Sequence, residues 1–252
     1  MRPALHVAAV ALVVLAGCNG VGPAPGTERP PEPTYPPGVT ADGVSNATAL
    51  VDAHREHVVA HGAVVRSNST TAIRIGGKVR TVETTATARA TPDLTRIHVV
   101  SRGVRVSGNE TTAGRFEVYA NETTVLRRMQ YGNETSVRAE SRDGGAPLVV
   151  ERVVQAQHLR GALDSLEFAV VDTERRDGRT VTTLSADETT LSGDAPSRNA
   201  ATLEVAASGR VLSLSVTRDR NTTTPVGRRT LDVTWADATT VEPPAWVRDR
   251  RQ

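Results

Sequence analysis

The residues AVVRSNSTTAIRIGGKVRTVETTATARA, numbers 63–90, carry a clear strand pattern. Both halves are rich in β-branched residues and have the period of two that is typical of half-buried β-strands. The Gly76-Gly77 pair between them is a turn signal, because glycine adopts the positive φ angles that tight hairpin turns need. The stretch therefore predicts a β-hairpin of two long strands, residues 63–75 and 79–90.

A repeat with a spacing of twelve residues follows this hairpin. Asn-Glu-Thr-Thr begins at Asn109 and at Asn121, and Asn-Glu-Thr-Ser begins at Asn133. Asparagine favours turns, and this spacing suits one short strand with one tight connection. Together with the strand pattern at residues 94–106, the repeat predicts an antiparallel meander from residue 63 to about residue 141.

Two segments carry helical patterns. Residues 47–61 place apolar and histidine side chains on one stripe, and Asn46 is a suitable N-cap for them. The second segment begins at Pro147, because proline is tolerated in the first turn of a helix, and its apolar stripe reaches Leu166. Gly161 is expected to kink or divide this second helix.

Strand patterns resume after the second helix, in the segments 167–175, 179–186, 200–207, 211–218 and 229–235. The order of helix, meander, helix and second set of strands predicts an α+β domain over residues 46–247 with a short tail at 248–252. Its large antiparallel sheet is expected to have about 10–11 strands. A sheet of that size curls, so we expect a half-barrel whose concave face is covered by two helices.

The N-terminal residues indicate export. Arg2, an apolar stretch and the small residues Ala16 and Gly17 form the pattern of a secretory signal peptide over residues 1–17. Leu15-Ala16-Gly17-Cys18 resembles the lipobox of bacterial and archaeal lipoproteins, which implies thioether attachment of lipid to Cys18, the only cysteine. We therefore expect a lipid-anchored protein on the extracellular side of the cell membrane, held by a proline-rich tether over residues 18–45.

Motifs of catalysis and cofactor binding are missing from the sequence. It contains no Gly-x-Ser-x-Gly elbow, no His-Glu-x-x-His and no glycine-rich phosphate loop. We therefore expect a protein that is not an enzyme and has no cofactor. The formal net charge is +2 with charges of both signs dispersed, which does not indicate a nucleic-acid partner. We expect a monomer.

The last part of the chain carries a resemblance to a known superfamily. Its residues are Leu203-Glu204-Val205, Ser208-Gly209-Arg210-Val211, Leu231-Asp232-Val233-Thr234-Trp235 and Glu242-Pro243. They resemble the closing section of the LolA-like lipoprotein carriers, a superfamily that includes the mycobacterial lipid-binding lipoproteins. The resemblance implies a curved half-barrel with an apolar cavity and a carrier of acyl chains or lipids. The order of lipobox, tether, Pro36-Pro37-Gly38-Val39 and early helix is also similar to lipoproteins of halophilic archaea.

These observations favour a non-catalytic protein that binds a hydrophobic small molecule or lipid inside the curled sheet. The lining would come from aliphatic residues of the last strands: Leu203, Val205, Leu212, Leu214, Val216, Leu231 and Val233. The first alternative is a structural or interaction lipoprotein of the cell envelope with a solid core. A cavity separates these two hypotheses, because only the first requires one.

The second alternative is a metal-binding surface lipoprotein. His54, His57 and His61 lie on one face of the predicted helix at residues 47–61, and imidazoles so placed can share a zinc ion. No carboxylate or cysteine at a fixed spacing completes the set. Packing of these histidines against the sheet or at its rim is therefore the favoured interpretation.

Six of the eight asparagines begin an Asn-x-Ser/Thr acceptor: Asn46, Asn68, Asn109, Asn121, Asn133 and Asn221. On an exported protein this pattern indicates N-glycosylation of an outward-facing surface. The alternative is turn chemistry in a threonine-rich chain, because Asn-Glu-Thr turns generate such acceptors without selection for sugar.

Overall fold

A short β-pair and a helix begin the described part of the chain. The computed structural model describes residues 33–75, 78–108, 110–192, 195–220, 227–238 and 240–249. The pair consists of β1 (Val39–Thr40) and β2 (Gly43–Val44), and helix α1 follows over Ala47–His61. The side-chain oxygen of Asn46 accepts a hydrogen bond from the Ala49 N–H at 3.0 Å, so Asn46 is the N-cap that the sequence predicts.

The predicted meander forms the first half of a large sheet. After β3 (Ala63–Ile75) its strands are β4 (Lys78–Ala90), β5 (Ile97–Ser107), β6 (Glu110–Ala120), β7 (Thr124–Tyr131) and β8 (Glu134–Ser141). Each strand pairs with the next in antiparallel register. Ile75 lies opposite Lys78, as a two-residue connection requires, while Gly76 and Gly77 themselves lie outside the described residues.

The second set of strands extends the same sheet. These strands are β9 (Ala169–Arg176), β10 (Arg179–Ser192), β11 (Ala195–Ala206), β12 (Val211–Arg220) and β13 (Gly227–Ala236). The last strand, β13, pairs with β3, so that the order is β8-β7-β6-β5-β4-β3-β13-β12-β11-β10-β9. Across the described residues this gives one open, antiparallel sheet of 11 strands, which confirms the predicted large antiparallel sheet.

The second predicted helix differs from the sequence-based expectation. Helix α2 begins at Arg142 rather than Pro147, and it ends at Val154, where α3 (Ala156–Leu163) takes over. The division lies at Gln155, whose φ of 57° is left-handed, and not at Gly161. Pro147 lies inside α2, where its nitrogen has no hydrogen to donate to the carbonyl of Asp143, an exposed residue in the first turn.

Helices α1, α2 and α3 pack on one face of the sheet, which we call the helix-covered face. One cluster of buried apolar residues joins this face to the helices, with Leu50 from α1, Val153 from α2 and Leu159 from α3. Under β10–β12 the cluster is filled by Leu184, Leu203 and Leu214, all at most 1% exposed. The described residues from Pro33 onward form one compact unit.

A second, smaller cluster lies on the opposite face. Tyr119 follows Val118 in β6 and so points away from the helices, where it packs with Val241 and Val247. Val247 belongs to the short helix α4 (Ala245–Arg248). The chain after β13 thus covers part of the opposite face. No helix among the residues described is long and apolar enough to cross a membrane.

Candidate functional site

The candidate site is a groove between the α2–α3 corner and the helix-covered face of the sheet. Three adjoining sections make up this groove, and His158 lines all of them. The α3 section has a volume of about 290 Å³, the sheet section about 350 Å³ and the α2 section about 540 Å³. Sites for small molecules typically have volumes of roughly 300–1,000 Å³, so the groove has the size of a ligand site.

Small side chains form the floor of the groove. The sheet section is lined by serine, threonine and alanine residues of β3, β4 and β5: Ser67, Ser69, Thr84, Ala86, Ala88 and Ser101. These side chains are too short to reach the helices above them. The leucines under β10–β12, by contrast, fill the same layer on the other half of the sheet. The groove is therefore a consequence of side-chain size along the central strands.

Larger apolar side chains form the walls of the α2 section. Val99, Phe116 and Val118 come from the sheet, and Pro147, Leu148 and Val149 come from α2. Leu148 is 66% exposed, although a leucine in a helix next to a sheet is usually buried. Val99, Val118 and Val149 are at most 3% exposed, so the uncovered apolar surface of this section belongs to Phe116, Pro147 and Leu148.

Polar and charged groups meet where the three sections adjoin. Arg152 and Gln155 lie at the end of α2, His158 lies in α3 and Arg229 comes from β13. The side-chain amide of Gln155 donates to the Arg152 carbonyl at 2.9 Å, which directs its oxygen to His158 Nδ1 at 2.6 Å. Nδ1 of His158 must therefore carry the proton, because an amide oxygen only accepts.

The surroundings of His158 disfavour a second proton. Burial lowers the pKa of His158 below its ordinary value, and the charge of Arg229 lowers it further. Glu151 acts in the opposite direction, and Arg152 again lowers the pKa. At neutral pH the imidazole is therefore uncharged, with its Nε2 lone pair free of a proton.

The arginines of the groove differ in their partners. Arg127 forms an ion pair with Glu140, and Arg218 donates to the Gly161 carbonyl at 3.2 Å and to Ser165 Oγ at 3.1 Å. Within the described part of the chain, the exposed guanidinium groups of Arg152 and Arg229 form no ion pair. Positive charge thus remains uncompensated at the junction of the three sections.

The residues that the sequence predicts as lining take two different positions. Val216 and Leu231 line the groove, both in its α3 section. The others lie away from it: Leu203, Val205, Leu214 and Val233 are at most 1% exposed in the core, and Leu212 is half-buried at the bulge between β11 and β12. The large aliphatic residues therefore fill the core, whereas the cavity forms over small ones.

Sequence reasoning did not single out Arg229, Arg152 or His158. A signal for Arg229 was present, because Arg229 shares the period of two with Leu231 and Val233 and so points to the same face. Arg152 shares the helical stripe of Leu148 and Leu159, whereas His158 gave no comparable signal. Arg152 and His158 lie close together because the chain turns at the left-handed residue Gln155, and the local sequence does not predict that turn.

The three histidines of α1 have separate roles. Both ring nitrogens of His54 are engaged, with the Val154 carbonyl at 3.2 Å and the Val211 N–H at 3.2 Å. His57 Nε2 contacts Asp237 at 3.1 Å, and the His57 and His61 rings stack at 4.2 Å between centroids. In the residues that the structure describes, no group of three potential ligands is placed to hold a metal ion.

The predicted modification sites fall both inside and outside the described chain. Cys18, Asn109 and Asn221 lie outside the described residues. Asn46, Asn68 and Asn133 are exposed, whereas Asn121 is half-buried and its oxygen accepts from the N–H groups of Thr123 and Thr124. Exposure is the condition that glycosylation of the first three requires, and their modification stays a prediction.

A separate depression of about 800 Å³, larger than any one section of the groove, lies between the β1–β2 pair and the segment that follows α3. It is lined by the carboxylates of Asp42, Asp164, Glu167 and Glu188 and is open to solvent. Apolar side chains contribute little to it. The groove is therefore the better candidate for a ligand with an apolar part.

Comparison with known proteins gives little that bears on this chain. No protein-family model matches it, and no curated protein does. Among solved structures, a DUF1329 family protein from Desulfovibrio piger ATCC 29098 matches with 13% sequence identity and a TM-score of 0.29. The match covers 78% of this chain and 95% of that one. A TM-score this low does not establish a shared fold.

Proposed function

We propose that this protein is a non-catalytic, lipid-anchored extracellular lipoprotein that binds a hydrophobic small molecule or lipid in the groove. The observation that supports the proposal is the unfilled space between the α2–α3 corner and the small residues of β3–β5. The uncovered apolar wall gives the reason why a ligand would occupy it. Burial of apolar surface contributes about 25 cal/mol per Å².

In this proposal the sheet is a half-barrel and the groove lies on its concave face. Strands twist in one direction, so an open sheet of 11 strands curls rather than staying flat. Helices that lie on the concave side then leave a gap wherever the strands below them carry short side chains. The LolA-like resemblance implies the same arrangement of half-barrel, helices and apolar cavity.

In this proposal the lipid anchor places the groove near its source of ligand. A lipid on Cys18 and a proline-rich tether would hold the domain close to the membrane, where amphiphilic molecules are concentrated. Residues 20–37 of the tether contain no apolar periodicity, and proline-rich segments of this kind act as semi-rigid spacers. The domain would therefore bind its ligand while remaining attached to the membrane surface.

The proposal is tested by filling the groove. Ala86 lies on its floor, and the adjacent Thr85 is exposed on the opposite face of β4, so Ala86→Trp and Thr85→Trp form a matched pair. Binding is measured as the fluorescence of cis-parinaric acid, and stability by urea unfolding. We expect Ala86→Trp to weaken binding by about tenfold or more, because the indole occupies ligand space, with stability nearly unchanged.

The alternative of a solid-core envelope protein predicts a different result. In that case cis-parinaric acid does not bind the wild-type protein, and Ala86→Trp overpacks the interior and costs about 1–3 kcal/mol of stability. Equal binding by the two tryptophan variants would also contradict the proposal, since the probe would then bind elsewhere.

A further inference from the structure

We propose that the groove takes an amphiphile with an anionic head, in its simplest form a long-chain carboxylate, whose head lies between Arg152, His158 and Arg229. We call these three residues the basic cluster. The inference rests on the proposed function and adds the charge and the orientation of the ligand. It follows from where the uncompensated positive charge lies relative to the apolar wall.

The basic cluster occupies the middle of the groove. Arg229 and His158 line both the α3 and the sheet sections, and Arg152 and His158 line both the sheet and the α2 sections. A head group held there leaves the apolar wall of the α2 section, with Phe116 and Leu148, for the tail. Charge and apolar surface are thus separated along the groove, as they are along an amphiphile.

The charges around the cluster favour an anion. Glu151 is the nearest opposing charge, and its Oε1 accepts the Gln157 N–H at 2.7 Å. Glu151 is the only acid among the described residues that line the groove, and Arg127 of the α2 section is already paired with Glu140 outside it. The positive charges of Arg152 and Arg229 are therefore opposed by one negative charge, that of Glu151, whose carboxylate already accepts a backbone hydrogen bond. A carboxylate head would supply the missing negative charge and accept charge-assisted hydrogen bonds from both guanidinium groups.

His158 gives the ligand a second means of recognition. Nδ1 of His158 already carries a proton, which it donates to the side-chain oxygen of Gln155. A second proton therefore binds to Nε2, and the resulting N–H can donate a hydrogen bond to the head group. Burial, Arg229 and Arg152 lower the pKa of His158, with Glu151 opposing them, whereas a bound anion would raise it. Ligand binding should therefore shift the titration of His158 upward.

Two probes with the same tail separate this inference from the proposed function. They are cis-parinaric acid and the corresponding parinaryl alcohol, titrated into the full-chain protein at neutral pH. The test variant is Arg229→Gln, and the control is Arg228→Gln, because Arg228 is exposed on the opposite face of the same strand. Arg152→Gln serves as a second test variant, so that one poorly folding protein does not prevent an answer.

We expect Arg229→Gln to weaken binding of the acid about three- to tenfold and to leave binding of the alcohol unchanged. Arg228→Gln should bind both probes as the wild type does. In NMR titrations, the His158 pKa should rise with the acid and not with the alcohol. If acid and alcohol bind alike and neither test variant changes either affinity, the inference is overturned while the proposed function stands. If neither probe binds the wild type, both are overturned.

Discussion

Replacing His54 with glutamine should remove much of the acid sensitivity of the fold. His54 is fully buried at the contact of α1 with α2 and β12, where it bridges the Val154 carbonyl and the Val211 N–H. Its ring also packs edge-on against Trp235, with centroids 5.1 Å apart. One nitrogen accepts and the other donates, so this arrangement requires the neutral imidazole.

The size of the effect follows from the pKa of His54. Burial lowers this pKa from 6.5 to about 4; the hydrogen bond to Val154 opposes the shift, and the charges of His57 and Arg210 add to it. The unfolded chain binds a proton near pH 6.5 and the folded chain only near pH 4, so acid favours unfolding. The stabilising contribution is complete above pH 6.5, and about 3 kcal/mol of it is lost by pH 4.

The assay is urea unfolding of the wild type and the variant between pH 7.5 and pH 4. We expect His54→Gln to be less stable at neutral pH, because it loses packing and a well-placed hydrogen bond. Its stability should then fall by about 3 kcal/mol less than that of the wild type over this range. His61→Gln, at the exposed end of α1, is the control and should parallel the wild type. Parallel curves for wild type and His54→Gln would refute the role assigned to this histidine.

Two further predictions concern the anchor and the start of α2. Cys18→Ser should release the protein into the medium or stall its processing, because an acyl chain adds about 0.8 kcal/mol per buried methylene and two chains anchor stably. Retention of the cleaved variant in the membrane fraction would exclude this anchor. Gly145→Ala should cost about 1–3 kcal/mol in thermal unfolding, since its Cβ would lie 2.5 Å from Glu140 Oε1 and 3.0 Å from Val125 Cγ2. At Gly144 an added Cβ would lie 3.8 Å from Ser141 Oγ, its only neighbour within 4 Å among the described residues, so Gly144→Ala should stabilise α2 by roughly 0.5–1 kcal/mol. Stabilisation by both alanine substitutions would contradict the close packing described for Gly145.

The strands were predictable because their period is local. Alternation along residues 63–90 and the Asn-Glu-Thr repeat give the hairpins of β3–β8 directly, with the turn at Asn121 as expected. The pairing of β13 with β3 joins the two ends of the domain and could be inferred only from the need for one large sheet. The end of α2 was not predictable. A left-handed Gln155 is stabilised by its own side-chain contacts and by packing, not by its intrinsic preference.

Only part of the candidate site could be predicted from the sequence. A search for lining residues naturally selects large aliphatic side chains, yet Leu203 and Leu214 are core residues because their size fills the layer under the helices. The groove exists where Ala86 and Ser101 leave that layer empty. Small residues on a strand give no sign of the space above them. That space depends on where the helices lie, which is a property of the tertiary structure.

The most direct test of ligand binding is native mass spectrometry of the protein secreted by cells that express Cys18→Ser. This form keeps the whole domain and needs no detergent, which would compete for the groove. The proposed function predicts an added mass on a substantial fraction of the molecules, released on denaturation, and its loss in the same protein that also carries Ala86→Trp. A wild-type groove that never carries an added mass and binds no cis-parinaric acid would contradict it, as would an added mass that Ala86→Trp leaves unchanged.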